Sequence, residues 1–264
     1  MSKSRKTIAR RAFHRAKRVL GRGAENLDGF LAECKSIIHV GANEGQERAH
    51  YDSLSLSVLW VEALPHSYMV LANNLTEYPR QQAANALLTD KEGQSYDFHV
   101  SSNSGLSSSI FELDKHKEIW PEVTFTKTVR LHSTTLDALL RSRGLSPADF
   151  DALILDVQGA ELLVLMGSSD TLRSVRYVKT EASDSETYKG ACLLSTLPLM
   201  LETDGFVQTH KETFATKEGV GSCYDVLFKR VDHLTLGEKI ERKLAWFTRI
   251  VARGQHVDWS MART

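Results

Sequence analysis

From Ile37 onward the chain alternates short apolar runs with amphipathic stretches. Ile37-Ile38-His39-Val40 breaks into Gly41-Ala42-Asn43-Glu44-Gly45, and Val58-Leu59-Trp60-Val61 ends in Glu62. Apolar runs of this length, closed by glycine or a carboxylate, predict buried strands that deliver the chain to a ligand-facing edge. Residues 65–78 predict a helix with Pro65 in its first turn. Residues 83–89 predict a third strand, ending at the turn Asp90-Lys91-Glu92-Gly93, and residues 96–100 an added hairpin strand. The polar stretch 101–109, SSNSGLSSS, reads as a flexible binding loop between ordered segments.

The second half repeats the alternation. Residues 123–131 predict a strand, and Thr135-Leu136-Asp137 opens a short helix over 138–143. Residues 150–157 form the strongest later strand, passing Asp156 and Gln158-Gly159 into a helix over 160–166. A strand at 175–180 ends at Glu181; a helix at 193–203, a strand start at 205–209 and a last strand at 224–229 follow. Strands alternating with helices predict an α/β, doubly wound sheet, mostly parallel, with an antiparallel addition near the C-terminus where hairpin spacing occurs. Ligands bind such sheets at the carboxyl ends of the strands, where Gly41, Glu62, Asp90, Asp156 and Glu181 would converge.

A glycine turn after one strand and a carboxylate at the tip of the next form a nucleoside site, with the carboxylate on the ribose hydroxyls. Asn43 stands where the dinucleotide fingerprint needs its middle glycine, and Gly45 is followed by Gln46-Glu47 rather than Lys-Ser/Thr. Neither a pyrophosphate cradle nor a P-loop is written here. The acids Glu44 and Glu47 suit a cationic cofactor without phosphates, such as S-adenosylmethionine. Asp156 has two readings that do not exclude each other: a group that orients or deprotonates an acceptor hydroxyl, and a cap on the following helix.

Charge and cysteines narrow the classes. The 264 residues carry 33 basic and 33 acidic side chains, so no overall field calls for nucleic acid or an acidic substrate. The three cysteines, Cys34, Cys192 and Cys223, have no metal-ligand spacing and give no disulfide framework. Neither a membrane span nor a signal peptide is visible, and a cytoplasmic location is the expectation. Residues 3–22 contain many Lys and Arg and no acid, with apolar residues near helical spacing. Such a basic helix can lie on an anionic membrane surface; the other reading is a solvated extension that packs on its own domain. Residues 239–253 predict a second basic amphipathic helix. The expected organisation is a basic helical extension at 1–30, a domain at 31–231 and a basic helical extension at 232–264.

Taken together, IIHVGANEGQE, VEALP, TTLDAL, LILDVQGAELLVLMGS and VKTEAS, with Tyr188 and Asp204-Gly205-Phe206 downstream, resemble the FkbM family of methyltransferases over roughly residues 37–230. The resemblance implies a seven-stranded class I methyltransferase (Rossmann-like) sheet, S-adenosylmethionine as cofactor, and methylation mostly of oxygen. It places Gly41, Ala42, Asn43 and Gly45 along the methionine part of the cofactor, Glu62 and the adjoining Ala63 at the ribose, and the turn 86–90, with Leu87 and Asp90, near the adenine. Asp156 would stand between cofactor and acceptor. Two positions depart from the family pattern. His39 occupies the site of an acid, leaving Glu44 or water to support the cofactor's amino group, and Ile154 replaces a lysine that precedes the DVQG aspartate. The expected reaction is O-methylation of a small hydroxylated acceptor, a sugar or glycan-linked group. The rival readings are a nucleotide-linked, NAD-type oxidoreductase and a non-catalytic module that keeps the fold.

Overall fold

The computed structural model describes residues 27–239. The basic segment 3–22 lies outside them, as does the expected helix at 239–253 beyond its first residue. Strands β1 (Ser36–Val40), β2 (Ser57–Glu62) and β3 (Gln81–Asn85) are joined through helices α1 (Arg48–Ser53) and α2 (Pro65–Asn74). A small sheet follows, built from β4 (Leu87–Leu88), β5 (Ser95–Ser101) and β6 (Phe125–Thr134), with α3 (His116–Ile119) between the last two. Helix α4 (Leu136–Ser142) leads to β7 (Ala152–Leu155), α5 (Glu161–Met166), α6 (Ser169–Ser174) and β8 (Tyr177–Ser183). Helix α7 (Leu197–Thr203) and strands β9 (Phe206–Lys217) and β10 (Gly221–Arg230) complete the domain.

The main sheet has seven strands in the order β3-β2-β1-β7-β8-β10-β9. The first five pair in parallel. β10 is antiparallel to both of its neighbours, so it alone runs against the other six. This is the expected doubly wound sheet with one reversed strand near the C-terminus. Strand order reverses at β1 and β7, which opens a crevice between their carboxyl ends.

Side-chain alternation along the strands explains the continuous apolar runs. Ile38, Val40, Leu59, Leu153 and Leu155 pack into one core layer, while Ile37, Val58, Trp60, Ala152 and Ile154 pack into the layer on the opposite face. With both faces covered, neither face can be polar. Trp60 is fully buried and donates its indole N–H to Gln81 at 2.9 Å, which explains a buried amide in β3.

The Thr135-Leu136-Asp137 motif is structural. Thr135 Oγ1 accepts the Ala138 N–H at 3.1 Å and caps α4, and Leu136 is fully buried. Asp137 reaches across to the start of α6, accepting the N–H groups of Asp170 and Thr171 at 2.7 and 3.0 Å. One tripeptide thus starts two helices.

The strand expected at 83–89 is two strands in two sheets. The Asn85 side chain donates to the carbonyls of Glu62 and Ala63 at 2.7 and 3.0 Å, and the Ala86 N–H donates to Glu62 O. These bonds close the β2–β3 edge and turn the chain, so that Leu87 and Leu88 pair with β6 instead. Helices α1 and α6, six residues each, were not anticipated; they are too short to show a helical period.

Candidate functional site

The crevice deepens into a cleft of about 650 Å³, counting its open mouth. Three strand ends build its floor: Val40-Gly41 after β1, Glu62-Ala63 after β2 and Asp156-Val157 after β7. The small sheet and its loop build the roof, with Leu87, Phe98, Leu106 and Ile110. The crossing at the floor is tight. A Cβ on Gly41 would lie 1.9 Å from the Asp156 carbonyl oxygen, and the residue has φ +84°. No other residue fits where β1 and β7 converge.

Glu62 is 7% exposed, and its two oxygens accept different backbone N–H groups: Asn43 at 2.8 Å and Leu64 at 2.8 Å. The carboxylate therefore locks the glycine turn to the start of α2. Burial pushes its pKa up to about 7, against the pull of those two N–H bonds, and the nearby charge of Asp156 raises it further. Asn43 is in the left-handed region at φ +47°, which asparagine tolerates. Its amide accepts the Glu44 N–H and the Gln46 side chain through Oδ1, and donates to Ser104 O at 3.1 Å. The glycine turn thus carries the roof loop.

That loop, 101–109, was expected to be flexible and is internally bonded. Ser107, Ser108 and Ser109 are buried. The Ser101 N–H donates to Ser108 Oγ at 3.0 Å, Ser107 N–H to Ser101 Oγ at 3.1 Å, and Ser109 Oγ to Gln158 O at 2.7 Å. Its buried serines bond to one another and to Gln158, and Gly105, Leu106 and Ser108 face the cleft.

On the other wall, the Asp156 N–H continues the sheet to Val40 O, while Asp156 Oδ1 accepts the Gln158 amide at 2.5 Å. No side chain caps helix α5, so Asp156 is not its cap; Glu161 in the first turn ties down the turn before the helix. That side chain folds back to accept the N–H groups of Val157 and Gly159 at 3.3 and 3.2 Å. Glu161 is 4% exposed, and burial pushes its pKa to about 7 as well. Gln158, at φ +54°, donates also to Glu181 at 3.3 Å and accepts the Tyr188 hydroxyl at 2.8 Å.

Of the residues singled out in the sequence, the cleft brings together Gly41, Asn43, Glu62, Ala63, Leu87 and Asp156. Ala42 and Gly45 shape the turn behind it: Ala42 is buried with its N–H on Val61 O, and Gly45 has φ +71°. Four others lie elsewhere. His39 points into the core, its Nδ1 3.1 Å from the Tyr51 hydroxyl and its ring stacked on Trp60, because alternation along β1 sends it to the α1 side. The Glu44 side chain is solvent-exposed and outside the lining. Asp90 lies beyond the β4 turn, 3.8 Å from the Lys91 ammonium. Glu181 falls within β8 rather than at its tip and faces a second hollow. Ile154 is core. The sequence reading missed Phe98, Ile110 and the bridging role of Gln158; only the polar loop beside them gave a signal.

The lining fits S-adenosylmethionine. It carries Glu62 and Asp156, an apolar roof and no Lys, Arg or His, which suits a sulfonium and an ammonium and offers nothing to a pyrophosphate. A doubly wound sheet with a carboxylate-walled cleft at its switch point accommodates the class of S-adenosylmethionine-dependent methyltransferases. The family model described as "Methyltransferase FkbM domain" matches residues 39–215, and the chain belongs to that family. Its domain is a methyltransferase domain with S-adenosylmethionine as cofactor. The 2-O-methyltransferase NoeI of Sinorhizobium fredii (strain NBRC 101917 / NGR234) is 28% identical over 162 residues, covering 58% of this chain and 65% of that protein. The chain therefore spans less than two thirds of that relative's length. Solved structures that resemble it include the N-methyltransferase NodS of Bradyrhizobium japonicum WM9, at 8% identity and TM-score 0.44 over 85% of this chain and 97% of that one. Magnesium protoporphyrin IX methyltransferase of Synechocystis PCC 6803 matches at 12% and 0.42, over 83% and 90%. The assignment rests on the family match and not on these distant likenesses.

Proposed function

We propose that the protein methylates a hydroxyl of a small acceptor, a sugar or glycan-linked group. The observation that carries this reading is Asp156: a carboxylate at the β7 tip, on the cofactor cleft, held by the same Gln158 amide that reaches the neighbouring hollow. The similarity to a 2-O-methyltransferase supports oxygen as the accepting atom.

Bound S-adenosylmethionine would supply a methyl group activated on a sulfonium, with a neutral thioether as its leaving group. Glu62 would hold the ribose hydroxyls. Leu87, Phe98 and Ile110 offer an apolar wall for a purine. Asp156 takes the proton from the acceptor hydroxyl, which is a poor nucleophile while it keeps that proton. Gln158 holds the carboxylate in place, so it would meet the acceptor hydroxyl with little reorganisation.

Calorimetric titration with S-adenosylmethionine and, in parallel, NAD tests the reading, after co-purified S-adenosylhomocysteine has been removed. Binding of the former alone, followed by methyl transfer to a hydroxylated acceptor detected by mass, is the expected result. Binding of NAD alone would revive hydride chemistry, and binding of neither would favour a non-catalytic module.

A further inference from the structure

Tyr188 lies beyond the end of β8 and outside the lining of the cofactor cleft, yet the fold fixes its hydroxyl beside Gln158. The side chain is buried, at 3% exposure. The backbone around it is zipped to residues 112–116: Thr187 O accepts the N–H groups of Asp114 and His116, each at 3.0 Å, and the Lys189 N–H donates to Glu112 O at 2.9 Å. The Tyr188 ring packs against that of His116, with 5.3 Å between centroids. Its hydroxyl donates to Gln158 Oε1 at 2.8 Å and, over a longer path, to Ser107 O of the roof loop at 3.3 Å.

Gln158 is the residue that this hydroxyl holds. Its backbone has φ +54°, a conformation that persists only where the surroundings over-determine it. Its carbonyl accepts the Ser109 hydroxyl at 2.7 Å, and both ends of its side-chain amide are engaged. The nitrogen donates to Asp156 at 2.5 Å and to Glu181 at 3.3 Å, while the oxygen accepts from Tyr188. Ionised carboxylates only accept and the Tyr188 hydroxyl donates, so the amide has one workable orientation.

Resting on the methyltransfer reading with Asp156 as the base, we propose that Tyr188 is a positioning residue for the reaction, which acts through the Gln158 amide to keep Asp156 ionised and in place. An amide N–H donated to a carboxylate favours its charged form. The acids that face Asp156 act the other way. Glu62, at the end of β2, and Glu161, in α5, interact with it as like charges, and Glu181 of β8 shares its amide. Tyr188→Phe strips Gln158 Oε1 of its donor, and an amide that turns to find another withdraws its nitrogen from Asp156. Asp156 then holds its proton to higher pH.

The test is an NMR titration of the Asp156 carboxyl carbon in the full chain, labelled at aspartate and saturated with S-adenosylhomocysteine. Loss of the resonance in Asp156→Asn assigns it, and no acceptor is needed. Tyr188→Phe should raise the titration midpoint by about one pH unit, the equivalent of one lost hydrogen bond to the charged form. Gln158→Met, which removes the amide and keeps the length, should raise it at least as far. The double variant should move it no further than Gln158→Met alone, because one path carries both effects. Affinity for S-adenosylhomocysteine should stay within about twofold in Tyr188→Phe. In methyl transfer to neutral methyl hexosides, the acid limb of kcat should move up by the same interval.

An unmoved midpoint in either single variant, or shifts that add in the double, overturns the proposal. An unmoved midpoint with cofactor affinity roughly tenfold weaker would make Tyr188 a tie to the roof through Ser107 instead. Failure to bind S-adenosylhomocysteine sinks the methyltransfer reading itself. An acid limb that survives Asp156→Asn removes the base, and the role of Tyr188 with it. A limb lost in Asp156→Asn but unmoved in Tyr188→Phe removes Tyr188 alone.

Discussion

Glu62 accepts the Asn43 and Leu64 N–H groups, and the proposed function gives the same carboxylate the ribose hydroxyls as well. Hydrogen bonds to a charged group contribute about 1.5–3 kcal/mol, so Glu62→Ala should weaken S-adenosylmethionine roughly ten- to a hundredfold. Unchanged calorimetric affinity in a folded variant would remove Glu62 from the ribose. The pKa near 7 adds a second signature. Donating hydroxyls favour the ionised carboxylate, so binding should lower that pKa, release protons between pH 6 and 7, and tighten as pH rises through that window. Titrations in buffers of different ionisation enthalpy count the protons; uptake instead of release contradicts the role. Asp156 calls for the opposite split between binding and rate. Asp156→Asn keeps an acceptor oxygen for Gln158 but cannot take a proton, so turnover should fall about 10²–10⁴-fold with cofactor affinity largely spared. Normal turnover would reduce Asp156 to a wall of the cleft.

Element by element, legibility followed the length of the apolar signal. β1, β2 and β7 were plain because they are apolar on both faces, and a strand buried twice cannot hide. Gly41 and Glu62 were readable for the same reason, since each sits where such a run must stop. His39 was misplaced because family position was weighed above side-chain alternation, which puts every second β1 residue under α1. The β3/β4 break was illegible because it depends on the Asn85 amide finding carbonyls of β2. Helix α5 shows a local contact that the apolar pattern does not carry: Glu161 was noticed in its first turn, but its reach back to Val157 and Gly159 depends on the turn that Gln158 and Gly159 make at positive φ. That buried carboxyl group predicts a pH dependence. The folded pKa of Glu161 is raised from 4.5 to about 7, chiefly by burial, so the folded state retains a proton the unfolded chain gives up. Its contribution to stability is present below about pH 4.5 and lost as pH rises through about 7. Glu161→Gln keeps the acceptor oxygen and removes the proton. Urea unfolding between pH 5 and 8 should therefore show a flatter profile in the variant, with equal or greater stability at pH 8. A variant that loses stability at pH 8 would mean that Glu161 holds the Val157 and Gly159 N–H groups as a carboxylate there.

At the scale of the molecule, the cofactor cleft ties together segments far apart in the chain. Its walls come from residues 40–43, 61–63, 86–88, 105–110 and 156–160, which belong to both sheets. Asn43 to Ser104 and Ser109 to Gln158 are hydrogen bonds that join roof and floor. A ligand filling the space between them adds contacts that no element supplies alone, and it binds the folded chain only. At a hundredfold excess over its Kd such a ligand stabilises by about 2.7 kcal/mol, which for a domain of this size raises the melting temperature by about 5–10 °C. S-adenosylmethionine should produce that shift, and NAD at the same concentration should produce none. Glu62→Ala should lose between about half and five-sixths of the shift, because at the same concentration a ten- to hundredfold weaker Kd leaves about 1.4 to 0.4 kcal/mol of stabilisation. Asp156→Asn should keep it, since its loss is one of rate. A cofactor shift equal in wild type and Glu62→Ala would mean that the stabilisation arises away from this cleft.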